Sequence, residues 1–285
     1  MPDLKTLLQK VPRVKIMPWM AIGDPKGIII KVESQKALEF LTAARNDPRW
    51  DYLRQSGPKN SLTQTPKTVV IFGPSGSGKD TVIEVIQQEL AGSVVHLPSD
   101  LYYGPTGKLF GESEPGVYSN NYDHPNSVDW GLQKLHLKLL RHGHSVTLPE
   151  YDFSIHSRVD RGRPELAPKP IIVVSGIMAA HALKDEADLI IGVDAPWEIC
   201  VARRINRDIQ ERGRTKKDSQ DQIASTTKPG YLQFVKPYLD ALRRGTLADK
   251  AILFDNSLQV EAPQDFPARK NKLIYLEAIK KLQQA

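Results

Sequence analysis

The chain has 285 residues, of which 40% are hydrophobic and 25% charged, values typical of a globular protein with one large domain and an appendage. Its net charge of +6 is a modest excess and no nucleic-acid-binding motif accompanies it, so nucleic acid is not expected as a partner. A single cysteine, Cys200, excludes a disulfide framework, and no apolar run is long enough to span a membrane, so we expect a cytoplasmic protein.

Residues 1–65 are predicted to form a small appendage of unknown role. Leucines within 4–8 suggest a short helix, 28–32 is an apolar strand, and 34–44 has the spacing of a capped helix. The polar segment 57–67 contains two prolines and is predicted to be a linker. We expect the appendage to serve packing; a docking or dimerisation role, and with it a homo-oligomer, stays open.

The segment 69–81 combines a strand, a glycine-rich turn and the start of a helix. Val69–Phe72 has the β-branched and aromatic residues of a buried strand, and apolar residues after Thr81 recur at helical spacing. Between them lies Gly73-x-x-x-x-Gly78-Lys79, a P-loop pattern in which backbone N–H groups and a helix N-terminus face phosphate oxygens. Lys79 supplies a cation for the outer phosphates. The predicted nucleotide-binding residues here are Gly73, Pro74, Ser75, Gly76, Ser77, Gly78, Lys79, Asp80 and Thr81.

One position departs from the P-loop pattern. Asp80 stands where serine or threonine normally gives a hydroxyl to magnesium, and Thr81 follows one residue later. A carboxylate can bind magnesium, but it also adds negative charge beside the phosphates. Either Asp80 or Thr81 has the metal-binding role, or nucleotide binding is weakened, and the residues do not decide among these three readings.

Apolar strands and amphipathic helices alternate from residue 66 onward. This alternation predicts an α/β fold with a doubly wound parallel sheet and with the P-loop at the carboxyl end of a strand. We expect this domain to span 66–260, and a C-terminal helix within 261–285 to pack on its core. The other predicted strands are Val94–Leu97, Ile171–Val174, Leu189–Val193 and Ala251–Phe254; the predicted helices begin after Ser127 or Asp129 and run over 196–212 and 272–282.

Asp100 is a candidate catalytic base. It directly follows the strand at 94–97, so it should reach the same edge of the sheet as the P-loop. A carboxylate at this place can accept a proton from a substrate hydroxyl, as in phosphoryl-transfer enzymes. A loop or helix cap is the alternative on these residues alone.

Three further motifs identify a family. They are Asn121–Tyr122–Asp123–His124–Pro125, the segment Pro149–Arg158 with Tyr151 and His156, and Arg203–Arg214 with Gln222 beyond it. With the P-loop and Asp100, in this order and at these spacings, the sequence resembles the uridine kinase (uridine–cytidine kinase) family within the phosphoribulokinase/uridine kinase group. The likeness covers roughly residues 67–255 and leaves out the appendage and the C-terminal helix.

The resemblance implies a P-loop kinase fold with a helical lid, ATP and Mg²⁺ as cofactors, and a small-molecule nucleoside as substrate. Asp100 matches the catalytic aspartate, working with Lys79, and Asp123 matches the carboxylate that holds the ribose hydroxyls. Nucleoside contacts are implied for Tyr151, His156, Arg204 and Gln222, and triphosphate contacts for the lid residues Arg207, Arg212 and Arg214. The candidate metal ligands are Asp80, Thr81 and Asp100.

A second departure concerns the metal. Ser175–Gly176 stands where the family usually has Glu-Gly. We hypothesise that the two departures are linked, with a carboxylate lost at Ser175 and another gained at Asp80 on the other side of the magnesium ion. We expect ATP-dependent phosphorylation of the 5′-hydroxyl of uridine or cytidine. Two alternatives stay open: a kinase of another hydroxylated metabolite (pantothenate, glycerate or ribulose phosphate), and a degenerate nucleotide-binding regulatory protein.

Overall fold

The computed structural model describes residues 14–16, 30–32, 64–104, 109–110, 121–159, 165–247, 250–257 and 269–284. Near the N-terminus, β1 (Val14–Ile16) and β2 (Ile30–Val32) pair antiparallel. The strand predicted at 28–32 is therefore confirmed from Ile30 onward. The helices predicted at 4–8 and 34–44, and most of the linker predicted at 57–67, lie outside the described residues.

A five-stranded, fully parallel sheet forms the centre, in the order β11-β10-β3-β9-β4. Two short antiparallel pairs, β5 with β8 and β6 with β7, lie outside it. The bounds of the strands are β3 (Lys67–Phe72), β4 (Val94–Pro98), β5 (Val146–Thr147), β6 (Glu150–Asp152), β7 (Ser157–Val159), β8 (Glu165–Leu166), β9 (Ile171–Ser175), β10 (Leu189–Asp194) and β11 (Ala251–Asp255).

Helices cover both faces of this sheet. Their bounds are α1 (Lys79–Glu89), α2 (Trp130–Arg141), α3 (Ala179–Leu183), α4 (Trp197–Arg212), α5 (Lys216–Gln222), α6 (Lys228–Gly230), α7 (Lys236–Arg243) and α8 (Arg269–Gln284). Asp129, one of the two caps predicted for α2, accepts a hydrogen bond from the Leu132 N–H and begins that helix. Among the described residues, none of the helices combines the length and the apolar character that crossing a bilayer requires.

Alternation along the strands builds two hydrophobic cores, one on each face of the sheet. Val70 and Phe72 of β3 face one core, together with apolar residues of α2 and α3. Val69 and Ile71 face the other, which contains residues of α1 and, from α8, the buried Tyr275. Strands buried on both faces are the reason why these segments are continuously apolar. The doubly wound parallel sheet predicted from the sequence is confirmed.

From α5 to α7 the chain is one helical run interrupted by two π turns, Ile223–Thr227 and Tyr231–Val235. Each π turn ends two residues before a proline, Pro229 and Pro237. A proline has no N–H to donate, and its ring crowds the carbonyl four residues before it, so a locally wider turn gives the ring room. The first π turn lies against the motif that contains Asp123, where it becomes part of the site described below.

Strand order places the functional segments together. From β3 the chain crosses to β4 at one edge of the sheet, whereas from β9 it returns to β10 on the other side of β3. The carboxyl ends of β3 and β9 therefore flank a topological switch point, the usual position of a ligand crevice in such folds. The P-loop follows β3, Asp100 follows β4, and Ser175 ends β9.

Candidate active site

The P-loop between β3 and α1 is a tight cradle. Gly76 (φ 85°) and Gly78 (φ 93°) have the left-handed backbone that glycine adopts without strain. A Cβ atom at Gly76 would overlap the carbonyl oxygen of Cys200, and one at Gly78 would overlap the side-chain amide of Asn256. That amide in turn donates to the Ser77 carbonyl oxygen at 2.7 Å. Helix α4 and the segment after β11 thus hold the loop in a shape with no room for side chains at these glycines.

Lys79 folds back over the loop that precedes it. Its Nζ donates to the carbonyl oxygens of Gly73 and Pro74, both at 3.0 Å. Burial lowers the pKa of Lys79, while the nearby carboxylates of Asp80 and Asp100 oppose that shift. The ammonium group is thereby positioned above the cradle and beside two acidic side chains.

Asp100 lies in the 3₁₀ turn Ser99–Tyr102, immediately after β4. Burial raises the pKa of its carboxyl group, and the positive charge of Lys79 opposes this rise. The segment that follows is fixed by Arg158, which donates to the carbonyl oxygens of Tyr102 at 2.8 Å and Tyr103 at 2.9 Å. The predicted base is thus a partly buried carboxyl group with a raised pKa at the same sheet edge as the P-loop.

A single cleft, enclosing about 790 Å³ with open solvent included, joins the P-loop to the other sequence motifs. Twelve of the predicted site residues line it, together with residues to which the sequence assigned no role. The predicted residues that do not line it are Gly73, Pro74, Gly76, Ser77, Gly78 and Thr81. The predicted residues in the cleft walls are Ser75, Lys79, Asp80, Asp100, Asp123, Tyr151, His156, Arg204, Arg207, Arg212, Arg214 and Gln222.

Aromatic rings form one wall of the cleft. His156 stacks on Tyr122, with ring centroids 4.9 Å apart and planes at 19°, and Tyr151 lies 5.7 Å from Tyr103. Burial, followed by the charges of Arg214 and Arg212, lowers the pKa of His156, so its ring is neutral near pH 7. His156 also has a positive φ of 49°, which is uncommon for a residue other than glycine. The wall suits the faces and polar edges of a flat heterocycle.

Asp123 is held from two sides. Its Oδ1 lies 3.4 Å from Nη1 of Arg204, and its Oδ2 accepts hydrogen bonds from the hydroxyls of Thr226 at 3.0 Å and Thr227 at 2.9 Å. The sequence motifs predicted Asp123 and Arg204 but not the two threonines, which lie about 100 positions away along the chain and reach Asp123 only through the first π turn.

A buried carboxylate, Asp208, ties two of the predicted arginines together. It is fully buried in α4, 3.6 Å from Nε of Arg204 and 3.1 Å from Nη1 of Arg212. Charges removed from water need close partners, so this aspartate fixes both guanidinium groups on one face of the helix. The sequence analysis missed Asp208, although its spacing of four residues from each arginine was the available signal.

Two further arginines, Arg207 on α4 and Arg214 just beyond its end, reach toward the P-loop and the aromatic wall, respectively. Arg207 donates through Nη2 to the hydroxyl of Ser75 at 2.8 Å. Arg214 donates through Nη1 to the side-chain oxygen of Gln222, and its Nη2 lies 3.3 Å from Nε2 of His156. Gly213, which lies between these two arginines in the sequence, ends α4 with a φ of 64° and turns the chain toward α5. The lid arginines therefore already contact both ends of the cleft.

The donors available to magnesium are oxygen atoms. Asp80, exposed in the first turn of α1, and Asp100 both face the cleft, whereas Ser175 pairs through its hydroxyl with Nε2 of His96 at 2.7 Å. Burial lowers the pKa of His96 to about 4, so the ring is neutral near pH 7. Within the described ranges no three His, Cys, Asp or Glu side chains cluster as a metal cage. One or two carboxylates completed by phosphate oxygens is the usual magnesium site of kinases, and the residues present fit it.

Comparison with known proteins agrees with this geometry. Residues 68–242, well over half of the chain, match the model of the Phosphoribulokinase / Uridine kinase family. The chain is 36% identical over 174 residues to the uridine kinase of Shewanella halifaxensis, covering 59% of this chain and 80% of that protein. It is 37% identical over 176 residues to the uridine kinase of Proteus mirabilis (59% and 81% covered) and 37% identical over 186 residues to that of Aeromonas hydrophila (62% and 85% covered). With its P-loop, parallel sheet and lid, this chain belongs to the phosphoribulokinase/uridine kinase family and is an ATP-dependent kinase.

Proposed function

We propose that this kinase transfers the γ-phosphoryl group of ATP to the 5′-hydroxyl of a pyrimidine nucleoside, uridine or cytidine. The observation that carries the proposal is the convergence of Asp123, Tyr151 and His156 on the cleft that also contains Lys79 and Asp100. A carboxylate for sugar hydroxyls and rings for a heterocycle therefore share one cleft with a phosphate-binding loop and a base. The relatives described above are uridine kinases, which supports a nucleoside as the acceptor.

In this mechanism Asp100 accepts the proton of the 5′-hydroxyl, and the oxygen of that hydroxyl forms a bond to the γ-phosphorus. The bond from that phosphorus to the bridging oxygen breaks, and ADP is the leaving group. Lys79, Arg207 and Arg212 oppose the negative charge that spreads over the transferred group. The lid excludes water, which would otherwise compete as acceptor.

A nucleoside suits the cleft better than an acid or a sugar phosphate. An anionic acceptor needs a cation at the acceptor end, where the arginines already have polar partners: Arg204 contacts Asp123 and Asp208, and Arg214 contacts Gln222. The aromatic wall offers rings rather than further charge. A neutral, flat base attached to a hydroxylated sugar matches both features.

An ADP-release assay with a panel of acceptors tests the proposal. We expect turnover with uridine and cytidine, and little with pantothenate, glycerate or ribulose phosphate at equal concentration. Turnover with one of these three acceptors alone would establish a different metabolite kinase. ATP binding by calorimetry without turnover on any acceptor would favour the regulatory protein.

Magnesium, when bound with ATP, neutralises part of the phosphate charge. We propose that Asp80 and Asp100 hold it, and that Asp80 compensates for the missing acidic side chain at Ser175. The support is that the three side chains line the same cleft.

The division of the chain into an appendage (1–65), a kinase domain (66–260) and a C-terminal segment (261–285) likewise stays a prediction.

A magnesium titration of the kinase activity tests the exchange of carboxylates. Asp80→Ser alone should raise the magnesium concentration that gives half-maximal activity, because one oxygen anion is removed from the site. Adding Ser175→Glu should restore the wild-type requirement, since a carboxylate returns on the other side of the cleft. A double variant that is as impaired as the single one would show that the two positions are not linked.

A further inference from the structure

Arg158 lies behind the aromatic wall and makes contacts that the mechanism above does not use. It belongs to β7 and is paired in register with Tyr151 of β6, so the two side chains stand on the same face of the hairpin. The side chain of Arg158 is 18% exposed, and the residue is not among those that line the cleft. Any effect of Arg158 on the reaction therefore passes through residues that do line it.

The guanidinium group of Arg158 joins two consecutive peptide carbonyls. Its Nη2 donates to the carbonyl oxygen of Tyr102 at 2.8 Å, and its Nε donates to that of Tyr103 at 2.9 Å. The donors of a guanidinium group are fixed in one plane, so this pair of hydrogen bonds sets the orientation of both peptides. The peptides close the 3₁₀ turn Ser99–Tyr102, in which Asp100 lies.

The position of this guanidinium group is itself set from elsewhere in the fold. Its Nη2 lies 3.6 Å from Oδ2 of Asp129, whose Oδ1 accepts the Leu132 N–H at the start of α2. The ring of Phe110 lies beside the guanidinium carbon, with its centroid 5.4 Å away. Asp129 also donates through its backbone N–H to the carbonyl oxygen of Tyr102 at 2.8 Å. The N-terminus of α2 is thus the anchor against which Arg158 holds the turn.

Arg158 consequently connects two parts of the candidate site. The hairpin carries Tyr151 and His156 of the aromatic wall, whereas the turn carries Asp100. We propose that Arg158 is a positioning residue, which fixes the turn relative to the hairpin so that the carboxylate of Asp100 reaches the acceptor hydroxyl. The inference rests on the proposed function in one respect, since it takes Asp100 as the base.

The first measurement is the steady-state kinetics of Arg158→Lys. Lysine keeps the positive charge beside Asp129, but its single nitrogen cannot reproduce the planar fork that holds two carbonyls. Misplacing a reacting group by about 1 Å can cost about 10²-fold in rate, so kcat with uridine should fall by about 10- to 100-fold while KM for ATP stays unchanged. Arg141→Lys is the matched control, because Arg141 also contacts a carbonyl oxygen and a carboxylate, those of Glu186 and Asp188, outside the cleft. Its kinetics should equal those of the wild type.

A double-variant cycle shows whether Arg158 acts through Asp100. Once Asp100→Asn has removed the base, misplacing the turn has little left to impair, so adding Arg158→Lys should leave the residual kcat nearly unchanged. A variant that merely weakened the fold would instead lower kcat by the same factor in both backgrounds. This cycle is the readout that distinguishes positioning from general structural support.

Three results would overturn the inference: an unchanged kcat in Arg158→Lys, an equal loss in both backgrounds, or a raised KM for uridine with kcat unchanged. If the lysine variant does not fold, Arg158→Ala is assayed with millimolar guanidinium, which has the planar fork, and with methylammonium, which is a point charge. Rescue of kcat by guanidinium alone would support the inference, and rescue by both or by neither would overturn it. If another acceptor is phosphorylated and no nucleoside is, the proposed function is wrong, and the same cycle with that acceptor still tests Arg158.

Discussion

Lys79→Ala is expected to lower kcat by at least about 10²–10³-fold, the loss typical when one preorganised electrostatic donor is removed. The ammonium group of Lys79 lies above the P-loop, held by two carbonyl oxygens at 3.0 Å. No methyl group can replace a cation that opposes the charge on the transferred phosphoryl group. Steady-state kinetics with saturating acceptor and ATP measures the effect.

Stability is a useful second measurement for this variant. Burial lowers the pKa of Lys79, so the charged form of this side chain is less favourable in the folded protein than in the unfolded chain. We therefore expect the melting temperature of the Lys79→Ala variant to stay near that of the wild type, while its stabilisation by added ATP is reduced. Lys184→Ala is the control, because Lys184 pairs with Asp185 away from the cleft. Phosphoryl transfer by Lys79→Ala at a near-normal rate would contradict the assignment of the P-loop.

Local patterns predicted the central elements of the fold. The strand, turn and helix around Lys79 lie within about twenty consecutive residues, and buried parallel strands are continuously apolar, so both could be read from neighbouring residues. Boundaries were less accurate. Segment 57–67 was predicted to be a linker, but β3 already begins at Lys67, and the C-terminal helix begins at Arg269 rather than Lys272. Ladder pairing and packing on the sheet set these ends, and neither is a local property of the sequence.

Contacts within the candidate site were harder to foresee. The sequence motifs supplied Asp123 and Arg204, but not the threonines that complete the hydrogen bonds of Asp123. Thr226 and Thr227 have no signature of their own, and an ordinary helix does not direct two consecutive side chains to one atom. The π turn before Pro229 brings both to the same oxygen. Asp208 differs, because its spacing from two arginines could have been recognised.

Asp100→Asn is expected to lower kcat by about 10²–10⁴-fold, the usual contribution of a general base. Asparagine keeps the shape and the hydrogen-bonding capacity of aspartate but cannot accept the proton of the acceptor hydroxyl. KM for uridine should change little, because the proposed sugar and base contacts are made by Asp123, Tyr151 and His156. Asp123→Asn should show the converse, with KM raised more than kcat is lowered.

The pH profile gives Asp100 a signature that a purely structural residue lacks. A base works only when deprotonated, and burial raises the pKa of this carboxyl group above its usual value. Activity should therefore fall as the pH drops through this raised pKa, and the fall should occur at a higher pH than for an ordinary aspartate. In Asp100→Asn the small residual activity should lose that acidic limb. If the limb persisted, another group would be the base; if the variant raised only KM for uridine, Asp100 would be a ligand of the acceptor.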